Sequence, residues 1–349
     1  MSASEIRPGE NALELFEPAR TYVNTASYGL PPRPAWEAMQ AALSDWHGGR
    51  TSWEQWGESV EAARASWARL AGVSADTVAV GATVSGLAAF VAASIPDGAR
   101  VLAPDVEFTS LLFPFLVQEA RGVTVRTVAP AELPEAIDEA VDVVAFSAVQ
   151  MATGEVADLD AIAAAAARHG ALTVCDATQA CGWLPLGGER FDVVVAAAYK
   201  WLLSPRGTAF MAVRPALLER VVPAAAGWYA GEDVHASYFG PPLRLARDGR
   251  RLDTSPAWFS WVGCAPALAV LEAVGVEAIH AHDVGLANRF RAGLGLEPGN
   301  SAIVSTDAPG AHERLEAAGV AAAMRGGRLR TSWHLYNTEE DVDRVLSLL

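Results

Sequence analysis

The chain has 349 residues and a formal net charge of −15; 51% of it is hydrophobic and 19% charged. That balance excludes a disordered chain, and the negative charge argues against nucleic acid or an anionic membrane as a partner. Of the 26 basic residues, 25 are arginines and one, Lys200, is a lysine. An ammonium can lose its proton and attack a carbonyl, whereas a guanidinium stays charged, so the lone lysine hints at amine chemistry.

The opening residues, MSASEIRPGENALELF, lack a basic start and an apolar run, so no signal peptide is expected. The stretch between Asp76 and Asp97 is uncharged and long enough to cross a bilayer. It contains Gly81, Thr83, Ser85 and Gly86, however, and reads as strand, turn and helix rather than as a span. Cys175, Cys181 and Cys264 are few, odd in number and not in metal-ligand spacing, which predicts a reducing cytoplasm with no disulfide and no zinc site.

Apolar, β-branched runs predict strands at 77–80, 100–103, 123–128, 141–147, 172–176, 193–198 and 208–213. Between several of them lie helix candidates at 85–94, 111–119, 133–139 and 159–169. This alternation predicts an α/β domain with a mostly parallel sheet and helices on both faces. A long helical stretch follows over 257–294. Then come a strand at 302–305, a helix at 311–318, short strands near Ala322 and Leu329, and a final helix whose start is marked by Thr338 and three acidic residues. We assign 15–260 to a large domain, and 1–14 with 261–349 to a smaller α/β domain.

Four local patterns carry chemistry. In AAAYKW, Tyr199 and Lys200 follow a strand at its carboxyl end, the edge where open α/β sheets bind ligands. CDATQ (Cys175–Gln179) places Asp176 at the same edge, where a carboxylate suits a ribose, a metal or a protonated ring nitrogen. GATVSG (Gly81–Gly86) puts small residues between a strand and a helix, so that backbone N–H groups at the helix start can meet a phosphate. It is neither a Walker loop nor a GxGxxG. LRTSWHLYNTEED places Arg330 on a strand, where a guanidinium can clamp a carboxylate through two bonds. A phosphate cradle, an acid, an amine and an arginine together fit pyridoxal 5′-phosphate and an amino acid.

From YVNTASYG to YNTEEDVDRV, with DATQ, YK and LR-S-H-YNT at family-like spacing, the sequence resembles the class V aminotransferases. These belong to the fold-type I pyridoxal-phosphate enzymes and include cysteine desulfurases, isopenicillin N epimerase and kynureninase. The resemblance implies a seven-stranded, mostly parallel sheet in the large domain and a homodimer with its sites near the interface. It implies a Schiff base on Lys200, with Asp176 on the pyridine nitrogen and Gln179 near the phenolic oxygen. Phe108 would stack on the ring, while Ala82, Thr83, Val84 and Tyr199 would hold the phosphate. Arg330 would receive the substrate carboxylate, with Asn24 bordering the substrate. Thr254 or Ser255, in RRLDTSP, would act across the dimer interface.

The pattern departs from the family in two places. AAAMRGGRLR has no cysteine where desulfurases carry their mobile one, so no persulfide-forming desulfurase is expected. An asparagine common near the cofactor is replaced in Gln150-Met151-Ala152-Thr153-Gly154. Amino transfer and β-elimination (C–S cleavage) rank nearly level. A decarboxylase or epimerase on the same scaffold, or a non-enzymatic binder of the cofactor, is the alternative. Trp53, Trp56, Trp258 and Trp261 offer material for a bulky-substrate pocket, although large aromatics more often build cores. HAHD (His280, Asp283) reads as a surface segment, and no metal is expected.

Overall fold

A computed structural model describes residues 12–349; the part of the small-domain assignment on 1–11, and most of the opening segment, lie outside the described residues. Strand β1 (Thr21–Tyr22) leads to α1 (Arg33–His47) and α2 (Trp53–Ala71). The large sheet follows as β2 (Val78–Gly81), β3 (Arg100–Pro104), β4 (Thr124–Val128), β5 (Val143–Ser147), β6 (Leu172–Asp176), β7 (Val193–Ala197) and β8 (Ala209–Val213). Its order is β2-β8-β7-β6-β5-β3-β4, and β8 alone runs antiparallel to its neighbours. All seven strands expected from apolar runs form this sheet. β7 and β8 are buried at every position, because helices cover both faces. Edge strand β4, with Arg126 in its middle, is mostly exposed.

The connecting helices start and stop where the sequence provides caps. Thr83 accepts a bond from Gly86 N–H to open α3 (Val84–Ser94). Helix α4 (Thr109–Leu116) follows β3. Asp158 caps α5 (Leu159–His169), which Gly170 ends in a left-handed conformation. The helix expected over 133–139 does not form; a short 3-10 turn at Pro130–Glu132 and irregular turns replace it. Seven residues are too few to hold a helix by themselves, because nucleation is costly, and Asp138 instead closes a turn by accepting Ala140 N–H at 2.8 Å.

After α6 (Pro215–Leu218), the long helical stretch is split by Gly275, at φ 87°, into α7 (Trp258–Val274) and α8 (Val276–Gly293), which meet at 83°. α7 packs on α1 and α2. Among the described residues no single helix is long and apolar enough to cross a membrane. The remaining elements are β9 (Ile303–Thr306), α9 (Ala311–Ala317), β10 (Val320–Ala321), β11 (Ala323–Arg325), β12 (Arg328–Ser332) and α10 (Glu339–Leu346). The last opens on a capping box between Thr338 and Asp341. Strands β11-β12-β9 form an antiparallel sheet. Phe290, Val304, Leu329, Trp333 and Val342 form a core beside it, distinct from those of the large sheet.

HAHD is not the surface segment expected from its polarity. Asp283 is wholly buried, and its Oδ2 lies 2.7 Å from Nδ1 of His334. Nε2 of the same ring is 3.0 Å from the carbonyl of Trp201, so two short motifs far apart in sequence meet beside Lys200.

Candidate active site

Parallel strands deliver their carboxyl ends to one edge. There β2 ends at Gly81, β5 at Ser147, β6 at Asp176 and β7 at Ala197. Ala82, Thr83, Val84, Phe108, Ser147, Met151, Asp176, Thr178, Gln179, Tyr199, Lys200 and Arg206 line one cavity at that edge. It gathers eight of the ten expected cofactor-binding residues, at 82–84, 108, 176, 179, 199 and 200. A larger groove of about 790 Å³ lies at the amino ends of the strands and contains none of them.

Lys200 is held by its backbone as much as by its side chain. The turn after β7 closes with Leu203 N–H on the Lys200 carbonyl at 3.1 Å, and among the described residues Leu203 is the non-glycine residue with positive φ, 54°. Gly29 packs on this turn: a Cβ there would sit 2.0 Å from the Lys200 carbonyl oxygen. That contact explains the glycine of NTASYG, and Gly29 N–H bonds the Tyr199 carbonyl at 2.9 Å. The ammonium is 5.6 Å from the ring centres of both Phe108 and Tyr199. Burial pushes the Lys200 amine down to about 8; Asp176 opposes the shift, while Arg330, Arg325 and Arg206 add to it.

Asp176 is buried and accepts Thr178 N–H at 2.8 Å; burial raises its carboxyl above the ordinary range. Among the described residues it has no ion pair, which suits a protonated ring nitrogen. Thr83 caps α3 and leaves the first N–H groups of that helix facing the cavity side, the arrangement a phosphate needs. The residues present therefore fit pyridoxal 5′-phosphate: Lys200 for the imine, Asp176 for the ring nitrogen, Phe108 for the ring face, and Thr83 with its neighbours for the phosphate. Gln179 spends most of its amide elsewhere. Its Oε1 accepts Trp201 Nε1–H at 2.7 Å and its Nε2 donates to the Ala26 carbonyl at 3.0 Å, which leaves one N–H.

Arg330, on β12, is buried and does not itself line this cavity, but it contacts Met151, which does. Its Nη1 donates to the Met151 carbonyl at 2.8 Å and its Nη2 to Ser27 Oγ at 2.6 Å, while Asn24 Oδ1 lies 3.4 Å away. Its Nε is buried without a partner. Burial, with Arg325 nearby, pulls the guanidinium down to about 10. Met151, in the segment that lacks the asparagine, touches the arginine. Thr254 and Ser255 do not line the cavity. Asp253 ties their loop to β2 by accepting Val80 N–H at 2.8 Å and pairing with buried Arg64 at 2.7 Å. Trp53, Trp56, Trp258 and Trp261 also stay outside the cavity; Trp261 packs edge-on to Phe210, in the core.

Sequence reading passed over Glu107. Its carboxylate accepts Phe108 N–H and Ser147 N–H, both at 2.7 Å, fastening the segment that carries Phe108 to β5. Burial pushes Glu107 up to about 7. An acid directly before the stacking aromatic was the available signal.

The Aminotransferase class-V family model matches residues 29–316. An uncharacterized aminotransferase, YcbU, of Bacillus subtilis (strain 168) is 28% identical over 97% of this chain and 96% of its own length. Isopenicillin N epimerase of Streptomyces clavuligerus is also 28% identical, over 96% of this chain and 95% of its own. Among solved structures, apo cysteine desulfurase of Thermococcus onnurineus NA1 superposes with a TM-score of 0.84 at 19% identity, covering 98% of this chain and 97% of that one. These matches and the site agree: the chain belongs to the class V aminotransferase family, with fold type I, and is an enzyme that uses pyridoxal 5′-phosphate.

Proposed function

We propose that the enzyme catalyses amino transfer from an α-amino acid, begun by removal of the α-proton by Lys200. The observation that carries this reading is the buried amine, at about 8, between Asp176 and Arg330. An amine in that range is a usable base near neutral pH, because enough of it is unprotonated and it still accepts a proton well. Pyridoxal 5′-phosphate, when bound, supplies the electron sink that makes the α-proton acidic.

The chain's own residues divide the remaining work. Arg330 binds the substrate carboxylate through its outer nitrogens and so fixes which bond at the α-carbon faces Lys200. Asp176 keeps the ring nitrogen protonated. Glu107 holds Phe108 in position against the ring. Cys175, Cys181 and Cys264 are all buried, and burial pushes the thiols of the last two up to about 12. None lines the cavity, which supports a reaction without a persulfide. β-Elimination begins with the same proton transfer and stays the second reading of the family. For the assembly we propose a homodimer in which Thr254 or Ser255 serves the partner's site. Tyr28 and Phe108, 42% and 41% exposed at the site, support a covering surface there.

The experiment is Lys200→Ala beside the wild type. The wild type should show a visible cofactor band that borohydride fixes covalently, and should convert an amino acid to its keto acid in step with an acceptor. The variant should lose both. A variant that keeps the fixable band would overturn the lysine assignment, and release of ammonia together with the β-substituent, with no acceptor present, would select elimination.

A further inference from the structure

The β11–β12 hairpin pairs Ala323 with Arg330 and Arg325 with Arg328. Cross-strand partners, and residues two apart, point to the same side of a hairpin, so Arg325, Arg328 and Arg330 share one face. Their surroundings differ. Arg328 is neutralised by Asp307 at 2.6 Å. Arg325 and Arg330 have no carboxylate partner among the described residues. Instead both donate to the same hydroxyl, Ser27 Oγ, at 3.1 and 2.6 Å. Their other bonds go to neutral acceptors: the carbonyls of Met324 and Met151, the Met151 sulfur and Asn24 Oδ1.

Two guanidiniums meeting on one hydroxyl repel each other. Arg330 is also buried, with an unpartnered Nε. A buried cation without an anion is costly, and a folded protein keeps such an arrangement where a ligand completes it. One carboxylate neutralises one guanidinium. The proposed function supplies one, the α-carboxylate on Arg330. The charge of Arg325 is left over, next to Arg330 across the shared Ser27 hydroxyl.

We propose that the substrate is an acidic amino acid, with Arg325 receiving a second carboxylate, or an equivalent sulfur acid, on its side chain. This rests on the amino-acid reading above and adds the substrate class. Arg325 is then a specificity residue, and the segment AAAMRGGRLR carries substrate selection rather than a reactive thiol.

The test compares aspartate and glutamate with their neutral isosteres asparagine and glutamine, using the holoenzyme. Wild type should favour the acidic partner of each pair in kcat/KM by at least about tenfold, the range for a bond between charged groups. Arg325→Gln should erase most of that ratio, chiefly through KM. Arg328→Gln, on the same face but already neutralised, should leave the ratio unchanged.

Calorimetry supplies a readout without turnover: succinate should bind wild type more tightly than butyrate does, and Arg325→Gln should remove the difference. Equal use of acidic and neutral substrates, or an Arg325→Gln variant that weakens succinate and butyrate alike, would overturn the proposal. Loss of the lysine-bound cofactor band in wild type would instead overturn the catalytic reading, and the two carboxylates would still report on Arg325.

Discussion

Replacing Lys200 by methionine should stabilise the cofactor-free protein. The amine is buried and stands near Arg206, Arg325 and Arg330; its ordinary value of 10.5 falls to about 8 in the fold even with Asp176 in opposition. At pH 7 the folded and unfolded chains both hold the proton, and the difference between the two values corresponds to roughly 3 kcal/mol of lost stability. The sign follows from proton counts. Between about pH 8 and pH 10.5 the unfolded chain keeps a proton that the folded chain has released, so stability rises with pH. The penalty is full below about 8 and gone above about 10.5. Methionine fills nearly the same volume without charge and avoids the penalty. Urea unfolding of both apoproteins at pH 7 should place Lys200→Met ahead by roughly 3 kcal/mol, and the gap should shrink to about 1 kcal/mol or less by pH 10. Groups not coupled to Lys200 cancel in the difference; Asp176, which the lysine charge pulls down, is the exception. Equal stability at pH 7, or a gap that persists to pH 10, would refute a base tuned by burial and by the arginines.

Two further predictions concern the framework around the site. Asp253→Ala leaves Arg64 with the half-exposed Glu61 as its remaining carboxylate and Val80 N–H without its acceptor. It should cost about 3–5 kcal/mol, read as an unfolding midpoint, and should loosen the loop carrying Thr254 and Ser255 to added protease. His334→Ala strands the buried Asp283 carboxylate and frees the Trp201 carbonyl. It should destabilise by several kcal/mol, and Asp283→Asn, which still offers a polar partner, by about 1–2; equal losses would mean that the carboxylate's charge is irrelevant.

The large sheet could be read from sequence because strands covered on both faces must be apolar along their whole length, and turns punctuate them. The site residues could be read because they stand directly after those strands, at 82–84, 176 and 199–200, so a strand's end fixes where its next side chain points. Helix 133–139 misled because a short apolar spacing looks helical even where Asp138 closes an isolated turn instead. Asp283 misled for a related reason. Polarity in HAHD suggests solvent, and only the fold shows that His334, 51 residues later, compensates its burial. Arg325 is a harder case. Three arginines in RGGRLR look alike, and their difference lies in partners from elsewhere: Asp307 for one, Ser27 for the other two.

The single lysine gains a physical reason from this distribution. Arginine is a fixed charge, suited to holding anions, and three of them surround the site. The same charges depress the Lys200 amine. An anionic substrate that neutralises Arg330, and Arg325 with it, removes part of that depression. Lys200 then becomes a stronger base when substrate is present and stays easier to deprotonate when it is not. A second lysine in place of either arginine would offer a competing nucleophile to the aldehyde of the cofactor, whereas a guanidinium offers none near neutral pH. Keeping amine chemistry at one position and fixed charge at the others lets a crowded cationic site bind anions without misdirecting its own cofactor.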